Sequence, residues 1–140
     1  MSLIDCLPHQ PPMRLLEDVT EIQHGESATG RRRAQPGDFY FQGHFPGEPV
    51  VPAVILIELV AQTGGIAAAA PPPGAPSAPP LQLRVAAIGP FKFPAAAGAN
   101  TTLEARARVA GRIGGLIKIE GTVTADGVLV ATGTLTLSER

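Results

Sequence analysis

A single cysteine, Cys6, leaves no way to close an internal disulfide, so a reducing compartment is expected. There is no tryptophan, one tyrosine and only 4% aromatic residues, too few rings for base stacking, and a net charge of -1 offers no footprint for a polyanion. Nucleic acid is therefore not an expected partner. The three histidines, His9, His24 and His44, stand far apart and give no metal-ligand spacing. The N-terminus lacks a basic start followed by an apolar run, so no signal peptide is expected. No segment supplies the roughly 20 strongly apolar residues of a membrane span, because the most apolar stretch is interrupted by Glu58 and thinned by Gly64 and Gly65. The expectation is a cytoplasmic protein with residues 1–140 forming one domain, long enough to bury a genuine core.

What the chain does have is a stretch from Phe39 to Gln62, FYFQGHFPGEPVVPAVILIELVAQ, that holds most of its candidate chemistry. Its second half reads as a helix over Ala53 to Ala70 opened by Pro52, whose fixed φ and missing N–H suit a first turn. Glu58, Gln62 and Thr63 are the only residues there with polar side chains, and Glu58 and Gln62, four apart, share one narrow stripe. Such a helix is expected to be wrapped on most sides. A carboxylate on it should resist ionising, which suits a proton donor. Ahead of the helix, His44 lies between Gly43 and Gly47 in a loop stiffened by Pro46 and Pro49, a way to bend a backbone and present one side chain. Taken singly, an acid on an apolar helix most often marks its wet edge, and a loop histidine is most often structural. The two together, in one short stretch, point to a catalytic site.

In chain order, residues 3–12 are too broken by proline for regular structure beyond a turn, and His9 among them is expected to pack or cap, being remote in sequence from other titratable groups. Met13 to Ile22 and Glu26 to Ala34 read as strands around the turn signal His24-Gly25. Arg31, Arg32 and Arg33 would alternate between the two faces of the second strand and form no single patch. Residues 70–80, APPPGAPSAPP, read as an exposed polyproline-biased loop within the domain. Four more strands are expected: Leu81 to Ile88, Thr102 to Ala110, Leu116 to Thr124 and Val128 to Leu137. In the last, Val128, Val130, Thr132, Thr134 and Thr136 would face one way, and Leu129, Ala131, Gly133, Leu135 and Leu137 the other. Gly111 to Gly115 and Asp126-Gly127 mark the turns between these strands. The economical fold is α+β, one curled, largely antiparallel sheet around one long helix.

Residues 43–62, GHFPGEPVVPAVILIELVAQ, closely resemble the signature GHFPGxPxMPGVLxxEAxAQ of the FabZ-type β-hydroxyacyl-acyl carrier protein dehydratases, which have the hotdog fold. LPHQPPMRLLEDV at residues 7–19 is similar to that family's opening LPHRxPxLLxDRV. Phe91-Lys92-Phe93-Pro94 and the following Gly98 resemble its strand and turn KFRxPVxPGD. The resemblance implies that His44 is the base taking the α-proton and Glu58 the acid protonating the departing β-hydroxyl. It also implies that the Ala53 N–H holds the thioester carbonyl, and that Gly43, Phe45, Pro46, Gly47 and Gln62 belong to the substrate site. A helix N-terminus is physically suited to developing enolate charge. No metal or cofactor is implied.

The resemblance further implies a site shared between two subunits, hence at least a homodimer, with a trimer of dimers as the larger form, acting on a chain carried by acyl carrier protein or coenzyme A. Ala53 stands where the family has Gly, Val51 where it has Met, Gln10 where it usually has Arg, and Gly98-Ala99-Asn100 in place of Gly-Asp. Glu58 instead of Asp points away from FabA-type enzymes that also isomerise the double bond. An acyl-thioesterase in which Glu58 activates water, and a non-catalytic accessory hotdog subunit, are the alternative readings.

Overall fold

The computed structural model describes residues 2–75 and 82–139. Of the proline-rich loop expected at 70–80, residues 76–80 lie outside the described residues, as does residue 81 at the start of an expected strand. A short 3-10 turn over Leu3–Cys6 precedes strands β1 (Asp18–Gln23) and β2 (Ser27–Arg33). A second 3-10 turn, Phe39–Phe41, leads to the helix α1 (Ala53–Ala69). Four strands follow: β3 (Leu83–Lys92), β4 (Thr102–Ile113), β5 (Leu116–Ala125) and β6 (Val128–Glu139). All six form one sheet in the order β1-β2-β4-β5-β6-β3, antiparallel at every pairing, with β1 and β3 at its edges.

The helix begins where proline allows and ends where proline forbids. Pro52 caps it at φ -59°, and Ala70, pushed to an extended ψ of 134° by the ring of Pro71, closes it with an N–H donated to the Ile66 carbonyl. Between these points the helix is buried from Leu59 to Ala68. It packs chiefly on β4, with β2 and β5 beside it. Leu59, Val60 and Ile66 meet Leu103, Ile119, Val123 and Leu135, all at most 1% exposed. Each such side chain contributes about 1.5–3 kcal/mol by leaving water. Closeness of helix to sheet depends on two missing side chains: a Cβ on Gly64 would lie 2.8 Å from the Ile119 side chain, and one on Gly121 2.3 Å from that of Val60.

Several strand limits differ from the sequence expectation. The first strand starts at Asp18 and not Met13, because residues 13–17 spend key backbone groups on side chains: Met13 O and Leu15 N–H on Gln62, and Leu15 O on Arg32. The third reaches Lys92 and runs through Pro90, which an edge strand tolerates since one row of its backbone groups needs no ladder partner. In β6 the strict alternation fails at Val130, which is fully buried beside Ala131 while Leu129 is 40% exposed. A register shift opposite Val123/Thr124 changes the phase there. The three arginines do diverge: Arg31 pairs with Asp18, Arg33 donates to the Thr102 hydroxyl, and Arg32 points inward to Asp38.

Candidate active site

His44 is held from both sides of its own loop. Its N–H donates to Phe41 O (3.0 Å), and its carbonyl accepts the Val50 N–H (2.9 Å). Its Nδ1 lies 2.9 Å from Val50 O. A carbonyl only accepts, so Nδ1 carries the hydrogen and, in the neutral ring, Nε2 carries the lone pair. The chain reaches this geometry through Gly43 (φ 77°) and Gly47 (φ 78°), left-handed conformations that a Cβ disfavours. Phe45 stacks on the imidazole at 4.2 Å between ring centroids and is 56% exposed; with Pro46 and Gly47 it forms the outer rim of the loop. Val51 N–H then docks on Ala97 O (2.8 Å), and α1 starts two residues later. Among the described residues no acceptor pairs with the Ala53 N–H, which is exposed at the positive end of the helix.

Glu58 lies in the second turn of α1 and faces a pocket of about 420 Å³. Its walls are Leu7, Pro8 and His9 from the N-terminal segment, Ala61 and Gly65 from α1, and Leu83, Arg84 and Val85 from β3. The helix is indeed wrapped on most sides, yet Glu58 sits at its wet edge in the single chain, the side chain 24% exposed. Oε2 accepts a hydrogen bond from Gln62 Nε2 (2.9 Å) and lies 3.3 Å from His9 Nε2. The expected remoteness of His9 from other titratable groups does not hold in space. The N-terminal segment crosses the helix and brings His9 to the acid, so distance along the chain was a poor guide. The opening LPH was the signal available in the sequence, since it resembles a motif that begins the same family's chains.

Gln62 is 1% exposed and fully occupied: Oε1 accepts the Leu15 N–H (3.0 Å), while Nε2 donates to Met13 O (2.7 Å) and to Glu58. Those partners fix which end is oxygen and which nitrogen. Both amide hydrogens are committed and Oε1 already accepts one bond, so in this chain Gln62 acts as a bracket for Glu58. His44 does not line the pocket that holds Glu58. A larger trough, about 860 Å³, crosses the sheet face away from α1, but it contains neither residue, and its two arginines are already paired, Arg108 with Glu120 inside the trough and Arg106 with Glu104 beside it. Among the described residues no cluster of His, Cys, Asp and Glu could hold a metal, and no helix is long and apolar enough to cross a membrane.

Behind the His44 loop lies a second polar cluster. Arg32 donates from Nη1 to Leu15 O (2.9 Å) and pairs through Nη2 with Asp38 Oδ1 (2.9 Å), and the Tyr40 hydroxyl donates to Asp38 Oδ2 (2.6 Å). Burial and the bond to Asp38 push the Tyr40 phenol from 10.0 up to about 12. Burial alone would raise Asp38, but the donors Tyr40, Gln35 N–H and Arg32 outweigh it and hold the carboxyl below its usual range.

Several known proteins share parts of this sequence or its fold. The 3-hydroxyacyl-[acyl-carrier-protein] dehydratase FabZ of Clostridium botulinum (strain Hall) is 43% identical over 61 residues, 44% of this chain and 42% of the relative. The FabZ of Roseiflexus sp. (strain RS-1) is 39% identical over 67 residues, 48% and 47% of the two chains. The matches span less than half the length of these curated relatives. Among solved structures, the dehydratase heterocomplex ApeI:P from Xenorhabdus doucetiae superposes with a TM-score of 0.78 at 16% identity, covering 100% of this chain and 91% of that one. A hypothetical thioesterase with coenzyme A from Streptococcus pneumoniae gives 0.62 at 11% identity, covering 88% and 84%. The sheet curled around α1 is the hotdog fold, in the α+β arrangement expected. Since the FabA-like domain family matches residues 7–134, nearly the whole chain, this protein belongs to that family.

Proposed function

We propose that the protein dehydrates 3-hydroxyacyl thioesters, carried by acyl carrier protein, to trans-2-enoyl thioesters. The observation that carries the reading is the His44 tautomer, Nδ1–H on the Val50 carbonyl and Nε2 free to act as base, on the same chain as Glu58 in its pocket. The Ala53 N–H receives the thioester carbonyl, which makes the α-hydrogen acidic by stabilising enolate charge. His44 Nε2 takes the α-proton and the Cα electron pair forms the new double bond. The Cβ–O bond then breaks, and Glu58 delivers a carboxyl proton to the leaving oxygen, so water departs. His9, beside Glu58 Oε2, orients that carboxyl.

Because His44 does not line the Glu58 pocket, the two groups are read as halves of sites completed by a second copy of the chain. The exposed edge strand β3, which forms one wall of that pocket, supports the same reading. Fatty-acid synthesis or a related lipid or polyketide route would supply the 3-hydroxyacyl chain.

The test follows the absorbance of the conjugated enoyl thioester for wild type, His44→Ala, Glu58→Gln and a remixed pair of the two variants. Each variant is expected to lose about 10²–10⁴-fold in turnover, with partial recovery on mixing as hybrid dimers rebuild one intact site. Thiol release without enoyl formation would replace this reading with the thioesterase, and neither activity would leave the accessory subunit.

A further inference from the structure

Arg32 is the meeting point of two lines of hydrogen bonds that lead to the two candidate catalytic side chains. Toward the base, its Nη2 and Nε engage Asp38, and Nε also donates to the Tyr40 hydroxyl (3.1 Å), which in turn donates to Asp38. These contacts pin the 3-10 turn Phe39–Phe41, and the carbonyl of Phe41 receives the His44 N–H. Toward the acid, Nη1 donates to Leu15 O; the same residue's N–H donates to Gln62 Oε1, and Gln62 Nε2 donates to Glu58. Every link is a named donor and acceptor between 2.6 and 3.3 Å.

A charge pair this deep, with side chains 15% and 11% exposed, is a poor way to gain stability, since desolvation offsets most of the attraction. Its geometric content is high instead. The guanidinium sends N–H groups in fixed directions to a backbone carbonyl, a carboxylate and a phenol, which a single ammonium point cannot do. Arg31 and Arg33, its neighbours on β2, have no such reach and make only exposed contacts.

We infer that Arg32 is a positioning residue for both His44 and Glu58, setting the loop that presents the base and, through Leu15 and Gln62, the orientation of the acid. This rests on the dehydratase reading for its catalytic consequence, but the placement itself is measurable without turnover. The experiment compares wild type, Arg32→Met, Arg32→Lys, Tyr40→Phe and, as control, Arg31→Met, by steady-state dehydration and by NMR of the Gln62 side-chain amide and Leu15 N–H. In folded Arg32→Met, kcat should fall about 100-fold with KM within twofold, because misplacement of reacting groups by about 1 Å costs that much. The Gln62 amide signals should shift and Leu15 N–H exchange should quicken.

Arg32→Lys should recover only part of kcat, Tyr40→Phe should lose less than Arg32→Met, and Arg31→Met should match wild type. If Arg32→Met does not fold, Arg32→Lys and Tyr40→Phe carry the same comparison. Unchanged kcat in a folded Arg32 variant, or loss of melting temperature with unmoved Gln62 signals, overturns the inference. Should wild type fail to dehydrate any substrate, the function proposed above falls, and the Gln62 and Leu15 signals alone decide the positioning.

Discussion

His9 Nε2 lies 3.3 Å from Glu58 Oε2, joining the opening segment of the chain to the middle of its central helix. Under the proposed dehydration, the contact makes His9 a partner that orients the Glu58 carboxyl. His9→Ala should therefore lower kcat about tenfold, less than loss of the acid itself, because Glu58 keeps its bond to Gln62. His9→Gln, which restores a donor at similar reach, should recover part of it. Steady-state turnover of the two variants checks this, and equal rates in both and wild type would remove His9 from the site.

Gln62→Met keeps the volume of the side chain and removes its three hydrogen bonds. The Leu15 N–H and Met13 carbonyl are then left without their partner under a 1%-exposed residue. Stability should fall by about 1–3 kcal/mol. A denaturant titration would show this as a lower midpoint at unchanged slope.

Tyr40 is the only tyrosine and there is no tryptophan, so phenolate absorbance reports this residue alone. Ionisation should be half complete at about 12 in the folded protein and near 10 once it is unfolded. Since the folded phenol holds its proton more tightly, its contribution to stability is intact below 10 and is lost as pH climbs toward 12. Asp38 has the opposite sign. Its folded carboxyl sits below 3.8, so the stability it adds is present above that pH and disappears as pH falls through the lowered value. The stability difference between wild type and Asp38→Asn should accordingly shrink in acid.

Gly64 and Gly65 are adjacent and should behave oppositely. Gly64→Ala places a Cβ 2.8 Å from the β-branched Ile119 and should cost about 1–3 kcal/mol by overpacking. At Gly65 a Cβ meets nothing within 4 Å, so Gly65→Ala should be neutral or stabilising by up to about 1 kcal/mol. Gly65 also lines the pocket with Glu58. Gly65→Leu should fill part of that space and shift kcat/KM toward shorter acyl chains, measured across a chain-length series.

Local chemistry explains which features the sequence made readable. Pro52 and Pro71 bound the helix because proline constrains its own and the preceding residue, and Asp126-Gly127 forms the expected hairpin with φ of 47° and 84°. The strands alternated visibly wherever the ladder was regular, as in β5, whose residues from Ile117 to Ala125 are buried at every second position. Legibility failed where a distant side chain took over a backbone's bonding. Met13 to Leu15 looks like strand, yet its backbone is bound instead to Gln62 and Arg32. It failed again at Val130, where a bulge changes the face, and at His9, whose neighbour is set by the crossing of two segments. His44 and Glu58 stood out because their surroundings in sequence, a Gly/Pro loop and an apolar helix, are unusual places for them.

The saturation of Gln62 has one more effect. With its oxygen and both amide hydrogens already committed, two of them to the backbone, the amide cannot swing when the charge on Glu58 changes. A dipole that is fixed beforehand adds nothing to the reorganisation energy of moving a proton. The part of the field that Gln62 sets at Glu58 is therefore the same in either protonation state of the carboxyl, whereas water in the same position would have to rebuild it each time.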